Sequence, residues 1–300
     1  MSWISETKYR WYETLAMNII RCGRVPRHIA FIMDGNRRFA KSEHIPKIDG
    51  HSKGFEKLAE CLRWCLDAGI QEVTTFAFSI ENFKRTEDEV NGLLDLAKEK
   101  FEKLLAEEDK LKQHGVRIRV IGNISLLPLE LQQVIARAMI CTEKNDKLFL
   151  NIALSYTSHD EMTQAVEAVL RHGSDTLESE DINERLLDEC MYTRQSPAPD
   201  LLFRTSGESR ISDFLMWQLS TTVLYFTRVL WPQITIWNFL ASILTYQRAS
   251  HHLDNFKEQN CRDEKHLIKT SSCFTDRVQS FLYRLDMYRR EFLLKLSKVK

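Results

Sequence analysis

The chain has 300 residues, 43% of them hydrophobic, with 42 Lys+Arg balanced by 42 Asp+Glu. That is enough apolar material for a substantial core in one or two domains, and the zero net charge excludes a global electrostatic reason to bind nucleic acid. Seven cysteines with no CxxC pair argue against a disulfide framework or a zinc site, and so for a reducing compartment.

Residues 4–20 place Ile4, Trp11, Tyr12, Leu15 and Ile19 on one helical face, in a stretch (1–28) with five Lys/Arg against two Asp/Glu. A helix docked on the chain's own core or on a partner is favoured over one lying on an anionic membrane. Glu6, Lys8, Arg10 and Glu13 interrupt any signal-peptide pattern. No run reaches the roughly 20 apolar residues of a membrane span. Membrane association would therefore be peripheral or through a partner.

From residue 27, short apolar runs alternate with helical patterns. The expected strands are Ile29–Met33, Val73–Phe78, Arg117–Ile121, Phe149–Leu154, Leu201–Arg204 and Leu224–Phe226. Their nearly continuous apolar or β-branched character suits strands buried on both faces of a parallel sheet. Helical spacing recurs at Phe55, Leu58, Ala59, Leu62, Cys65 and Leu66, and again from Val90 to Leu105. Ser158 followed by Glu161 reads as a capping box. The fold class is therefore α/β, a central parallel sheet of about six strands flanked by helices, over residues 24–248. Residues 1–23 form an N-terminal helical extension. Residues 249–300 form a C-terminal one whose stripe of Val278, Phe281, Leu282, Leu285, Phe292 and Leu296 needs a cover.

The candidate chemistry sits where strands end, which is where open α/β sheets bind ligands. The first strand ends in Asp34-Gly35-Asn36-Arg37-Arg38: a carboxylate, a residue that lets a ligand approach the backbone, a candidate helix cap, and two guanidinium groups. One carboxylate plus substrate oxygens is an ordinary magnesium arrangement. The second strand leads into Ser79, Glu81, Asn82 and Arg85, and the fifth into Arg204, Gly207, Arg210 and Ser212, the last also a candidate N-cap. Each stretch alone is also an ordinary solvated turn. Three anion-binding ends on one sheet favour a site for phosphorylated ligands. His51, flanked by Gly50 and Gly54, is a weaker candidate.

In chain order, "HIAFIMDGNRRFAK", "GHSKGFEKL", "FAFSIENFKR", "LLFRTSGESRISDFLMWQ" and "LYFTRVLWP" resemble the motifs of cis-prenyltransferases over about residues 24–248. The initial "MSW", Arg37-Arg38 and the serine of "RTSGE" are most similar to the eukaryotic dehydrodolichyl diphosphate synthase branch. The resemblance implies a transferase that elongates farnesyl diphosphate by successive cis-condensations with isopentenyl diphosphate. It implies Mg²⁺ on Asp34 and allylic diphosphate on Gly35, Asn36, Arg37 and Arg38, with His51 nearby. Asn82 and Arg85 would orient the substrates and leaving group. Isopentenyl diphosphate would lie on Arg204, Arg210 and Ser212, and the helices at 55–66 and 90–105 would wall a channel for the tail.

Two departures carry weight. Bacterial homodimers place a metal-site glutamate before the "LYF" strand, where this chain has Val223, and they end in an Arg-x-Gly segment. No glycine follows Gly207 here. In eukaryotic members an inactive subunit of the Nogo-B receptor type supplies that segment, so the resemblance implies this heteromeric partner and peripheral placement at the cytoplasmic face of the endoplasmic reticulum. Lys47 stands where an arginine is common. Among rivals, a non-catalytic partner-binding subunit predicts loss of Asp34 or of the arginines. A nucleotide-binding α/β protein predicts GxGxxG or GxxxxGK, and a trans-type enzyme predicts DDxxD. None of these patterns is present.

Overall fold

The computed structural model describes residues 9–267 and 275–298, with the backbone alone at 251–252 and 254–267. Six strands, β1 (His28–Ile32), β2 (Glu72–Ser79), β3 (Val116–Ile121), β4 (Leu148–Tyr156), β5 (Leu201–Arg204) and β6 (Val223–Phe226), form one sheet in the order β3-β4-β2-β1-β5-β6. Every neighbouring pair is parallel. All strand carboxyl ends therefore share one edge. The chain winds to one side of β1 through β2 and to the other through β5 and β6, which makes the β1/β5 crevice the topological switch point.

Among the described residues ten α-helices accompany the sheet: α1 (Trp11–Arg21), α2 (Asn36–Ser42), α3 (Lys47–Ala68), α4 (Glu87–Ala106), α5 (Glu108–His114), α6 (Leu129–Cys141), α7 (Ser158–Gly173), α8 (Glu184–Cys190), α9 (Ile236–Leu267) and α10 (Asp276–Lys298). The period-2 alternation of β1 assigns its two faces. Ile29 and Phe31 join the main core with α3, α4, α6 and α9, while Ala30 and Ile32 join a smaller one with Tyr156, Leu202 and Phe214. Phe31, wedged between Phe203 and Trp231, is a core residue whose truncation to Ala costs about 3–5 kcal/mol. Cys61 and Cys65 are buried in α3, and burial raises both thiols, as inert core residues require. The sulfur positions of Cys261 and Cys273 lie outside the described residues.

The expected strands all form, with ends shifted by a residue or two. Local details differ from expectation. The helix expected at 4–20 begins at Trp11, and Ile4 lies outside the described residues. It does dock on the core, but through Met17 and Ile20; Trp11 and Ile19 of the expected apolar face are 77% and 63% exposed. Ser158 is not a cap: Thr157 Oγ1 accepts from the Asp160 N–H, and Glu161 points inward. Asn36 is the first residue of α2 rather than its cap, and Ser212 starts no helix. The C-terminal stripe finds its cover on the chain itself. Val278, Phe281 and Leu285 of α10 pack with Ala165, Val169, Leu186 and Met191 of α7 and its neighbours, and Leu296 is buried too. Phe292 stays exposed.

Candidate active site

The site begins with register. Ile32 of β1 lies beside Arg204 of β5, so the two strands end together although their residues are far apart in sequence. Two residues on, the Asp34 carboxylate accepts from Arg204 Nη2 at 3.0 Å and from the Gly35 N–H at 2.7 Å. Its backbone carbonyl accepts from Thr205 Oγ1 at 2.6 Å and the Trp231 N–H at 3.1 Å, which fixes the turn. Gly35 has φ +108, a left-handed conformation that strains any residue with a Cβ, and Leu230 packs against it. Gly54 matters for another reason: a Cβ there would stand 2.2 Å from Asn36 Oδ1. The absence of that carbon lets Asn36 lie against α3, with Nδ2 donating to the Met33 carbonyl and Oδ1 buried without a partner.

A second group forms around Glu89, in the first turn of α4. Its carboxylate pairs with Arg85 and Lys47, both at 3.0 Å, and with Arg37 at 3.6 Å. Burial works to raise the Glu89 acid, but the Lys47 hydrogen bond and the charges of Arg85 and Arg37 outweigh it and hold it low. Arg85 is lowered by burial and by the nearby Arg37 charge. His51 is pushed down to about 4, first by burial and then by Arg85. It is therefore a neutral imidazole, and its buried Nε2 has no partner. Asn82 Oδ1 accepts from the Ser79 N–H at 3.1 Å, which closes the turn after β2.

The third group belongs to the loop after β5. Arg204, only 3% exposed in its side chain, donates to Ser212 Oγ at 2.9 Å and to the Arg210 carbonyl. Arg38 bonds Ser206 Oγ and pairs with Glu208 at 3.2 Å, and Glu208 also pairs with Arg210.

All eleven candidates read from the sequence (Asp34, Gly35, Asn36, Arg37, Arg38, His51, Asn82, Arg85, Arg204, Arg210 and Ser212) line one cavity of about 890 Å³. Deeper in, an apolar throat is formed by Phe55 and Leu58 from α3, Leu93, Leu94, Ala97 and Phe101 from α4, and Ile152 and Leu154 from β4, with Thr75 and Lys100 also in the lining. Leu62, Cys65, Leu104 and other residues of the same two helices face the core instead, a division that composition does not reveal. Val223 opens β6 beside Leu201, at the opposite end of β5 from Arg204, so it is no part of this cavity. A glutamate at that position would not reach the Asp34 of its own chain.

Sequence reasoning missed Glu89 and Glu208, which hold the arginines in place. Glu89 stands four residues after Arg85 on a helix, a pairing that could have been read. Glu208 lies inside a motif already quoted. Among the described residues, no three His, Cys, Asp or Glu side chains cluster as a metal-binding group. Asp34 alone fits a metal that brings its other ligands with a diphosphate and water.

A parallel α/β sheet with a cationic mouth and an apolar throat at its switch point defines an enzyme class that joins apolar diphosphates. A family profile described as "Putative undecaprenyl diphosphate synthase" matches residues 32–254, and the chain belongs to this cis-prenyltransferase family. Its relatives narrow the class. It is 45% identical over 329 residues to the human dehydrodolichyl diphosphate synthase complex subunit DHDDS, covering 99% of each chain. It is 41% identical to the geranylgeranyl-diphosphate-specific tritrans,polycis-undecaprenyl-diphosphate synthase of Picrophilus torridus, over 82% of this chain and 97% of the other. Among solved structures it is similar to lavandulyl diphosphate synthase from Lavandula x intermedia in complex with dimethylallyl diphosphate. That match has a TM-score of 0.69, 30% identity, and covers 74% of this chain and 95% of that one. The chain is thus a prenyl-transferring enzyme of the dehydrodolichyl diphosphate synthase type.

Proposed function

We propose that the chain is the catalytic subunit of a heteromeric cis-prenyltransferase, extending farnesyl diphosphate with isopentenyl diphosphate into long dehydrodolichyl-type chains for dolichol and glycosylation. The observation that carries this reading is the union, in one cavity, of ten candidates at or just after three strand ends and His51 of α3 with apolar side chains of α3 and α4.

The chemistry follows from where charge develops. Cleaving the allylic C–O bond puts negative charge on the leaving diphosphate, and prepositioned cations stabilise it with little reorganisation. Arg37, Arg38 and Arg85 surround that position, with the Gly35 and Asn36 backbone at the start of α2 and neutral His51 beside them. Asn82 orients the leaving group. Arg204, Arg210 and Ser212 hold the second diphosphate so that its alkene faces the allylic carbon, an entropic contribution. The throat keeps the lengthening tail and the allylic carbon dry. Bound at Asp34, Mg²⁺ would supply further charge neutralisation on the diphosphate.

Residues 24–248 form the catalytic unit in this reading, with 1–23 and 249–300 as extensions. A partner of the Nogo-B receptor type is proposed because the human relative is named as a complex subunit. Peripheral association with the cytoplasmic face of the endoplasmic reticulum is proposed from the outward Trp11, Leu15 and Ile19, with Trp237 of α9 exposed near them and stacked on Tyr12. No helix among the described residues is long and apolar enough to cross a membrane.

The test supplies farnesyl diphosphate, labelled isopentenyl diphosphate and Mg²⁺, with and without the partner. Long polyprenyl products only with both proteins are expected. Full activity of the lone chain would remove the partner requirement, and no product from two folded proteins would favour a purely binding subunit.

A further inference from the structure

Among the buried carboxyl groups with no part in the proposed reaction, Glu161 lies nearest the arginine loop in its hydrogen bonding. Glu161, in the first turn of α7, is buried. Its Oε2 accepts from the Tyr156 hydroxyl at 2.6 Å and from Gln218 Nε2 at 3.1 Å. Its Oε1 accepts from the N–H and the hydroxyl of Thr193 at 2.9 and 2.8 Å. The Gln218 amide also donates to Thr193 Oγ1 at 2.7 Å, which closes a ring. A helix-capping acid would draw donors from its own first turn. These come from the end of β4, from the segment before β5, and from the residues that follow the arginine loop. Behind Thr193, Arg194 pairs with Asp286 of α10 at 2.6 Å, so the segment is braced from outside.

What the ring holds is a loop unable to hold itself. Ser212, Asp213 and Leu215 have φ of 58°, 57° and 51°, left-handed values that residues with a Cβ resist. External contacts must hold such a run in place. Ser158 provides two: its N–H donates to the Asp213 carbonyl, and its Oγ accepts from the Met216 N–H, both at 2.8 Å. Phe214 is buried and stacked on Phe76, with centroids 4.5 Å apart. Glu161 fixes the loop's far end through Gln218. The cluster around Glu89 shares none of these contacts.

We propose that Glu161 is a positioning residue for the isopentenyl diphosphate subsite: by locking Gln218, it keeps the left-handed loop in the form that presents Ser212 and Arg210 beside Arg204. This rests on the assignment of those three residues to isopentenyl diphosphate. The predicted signature is selective. Losing the lock weakens the second substrate and leaves the allylic one alone.

Glu161→Gln keeps the size of the side chain but turns an amide N–H2 toward a donor. Gln218→Leu removes the amide that ties the loop to Glu161 and Thr193 while leaving Glu161 bonded to Tyr156 and Thr193. Both are measured as the full chain with its partner subunit, varying each substrate in turn. Each variant should raise KM for isopentenyl diphosphate about tenfold or more, with KM for farnesyl diphosphate within about twofold and kcat within about threefold of wild type. Glu161→Asp, which keeps the acceptors, should restore part of the loss. If Glu161→Gln does not fold, Gln218→Leu decides. An unchanged isopentenyl diphosphate KM, an equal rise in both KM values, or a lower Tm with both KM values intact would overturn the proposal. A wild-type complex that makes no polyprenyl product would instead overturn the proposed function, and this inference with it.

Discussion

The two cation clusters of the mouth are built in opposite ways. Around Glu89, three cations from separate elements converge on one carboxylate, and each is carried by regular helix or by the turn leading into it. Around Arg204, the backbone itself is strained, and the loop from Thr205 to Gln218 is held by contacts from outside it, among them Asp34, Ser158, Glu161 and the stacked Phe76. The first cluster is a charge assembly on a rigid frame. The second is a shape assembly around one buried guanidinium. Charge-neutralising substitutions should therefore damage the first gradually, and loop-releasing substitutions should damage the second abruptly.

The largest effect is expected where both kinds of support meet. Asp34→Ala removes the partner of buried Arg204 and the acid proposed to hold Mg²⁺; polyprenyl product formation should fall by more than about a thousandfold while circular dichroism stays native. An active variant would separate Asp34 from the chemistry. Next comes Glu89→Gln. It releases Arg37, Lys47 and Arg85 together, and initial-rate measurements should show KM for farnesyl diphosphate rising about ten- to a hundredfold while the isopentenyl diphosphate KM holds. With Glu161→Gln this forms a reciprocal pair, and equal effects on both substrates in both variants would erase the distinction between the clusters.

Smaller effects sharpen the same contrast. Gly54→Ala drives a Cβ into Asn36 Oδ1, so Asn36 must move; the allylic KM should rise several-fold, with a stability loss of about 1–3 kcal/mol read from urea unfolding. His51 titrates at about 4 in the folded chain, against an ordinary value of 6.5. The unfolded chain therefore binds more protons between these values. This contribution to stability is whole above pH 6.5 and is lost as pH falls toward about 4. Tm scans across that window should show a shallower decline for His51→Asn than for wild type. The smallest effect on the site itself is expected far from it. Trp11→Ser on the outward face of α1 should leave detergent-assayed turnover and Tm nearly unchanged, and should lower co-sedimentation with anionic vesicles.

Legibility in the sequence divides along similar lines. The strands were readable because buried parallel strands are almost continuously apolar, as in the fully buried His28–Ile32. Ten of the eleven site residues are readable because strand ends carry function, and the parallel sheet brings those ends to one edge; His51, inside α3, is signalled only by its flanking glycines and the family motif. Which face of α1 docks was not, because its two apolar faces compete and only the packed neighbours decide between Met17 and Trp11. Glu161 looked like a capping-box acid at the correct spacing. Its four donors are contributed through tertiary contacts that spacing does not encode. Glu89 and Glu208 look like surface charges until their partners are in place.

The proposed function requires that one cavity seat both diphosphates at its mouth and the prenyl tail in its throat. A crystal structure of the partnered enzyme with isopentenyl diphosphate, Mg²⁺ and an unreactive thio analogue of farnesyl diphosphate tests it directly. The allylic diphosphate should lie on Gly35–Arg38 and Arg85 with its tail between Phe55 and Phe101, and the second diphosphate on Arg204, Arg210 and Ser212. Either diphosphate bound away from these arginines, or the tail lying outside the α3–α4 wall, would contradict it.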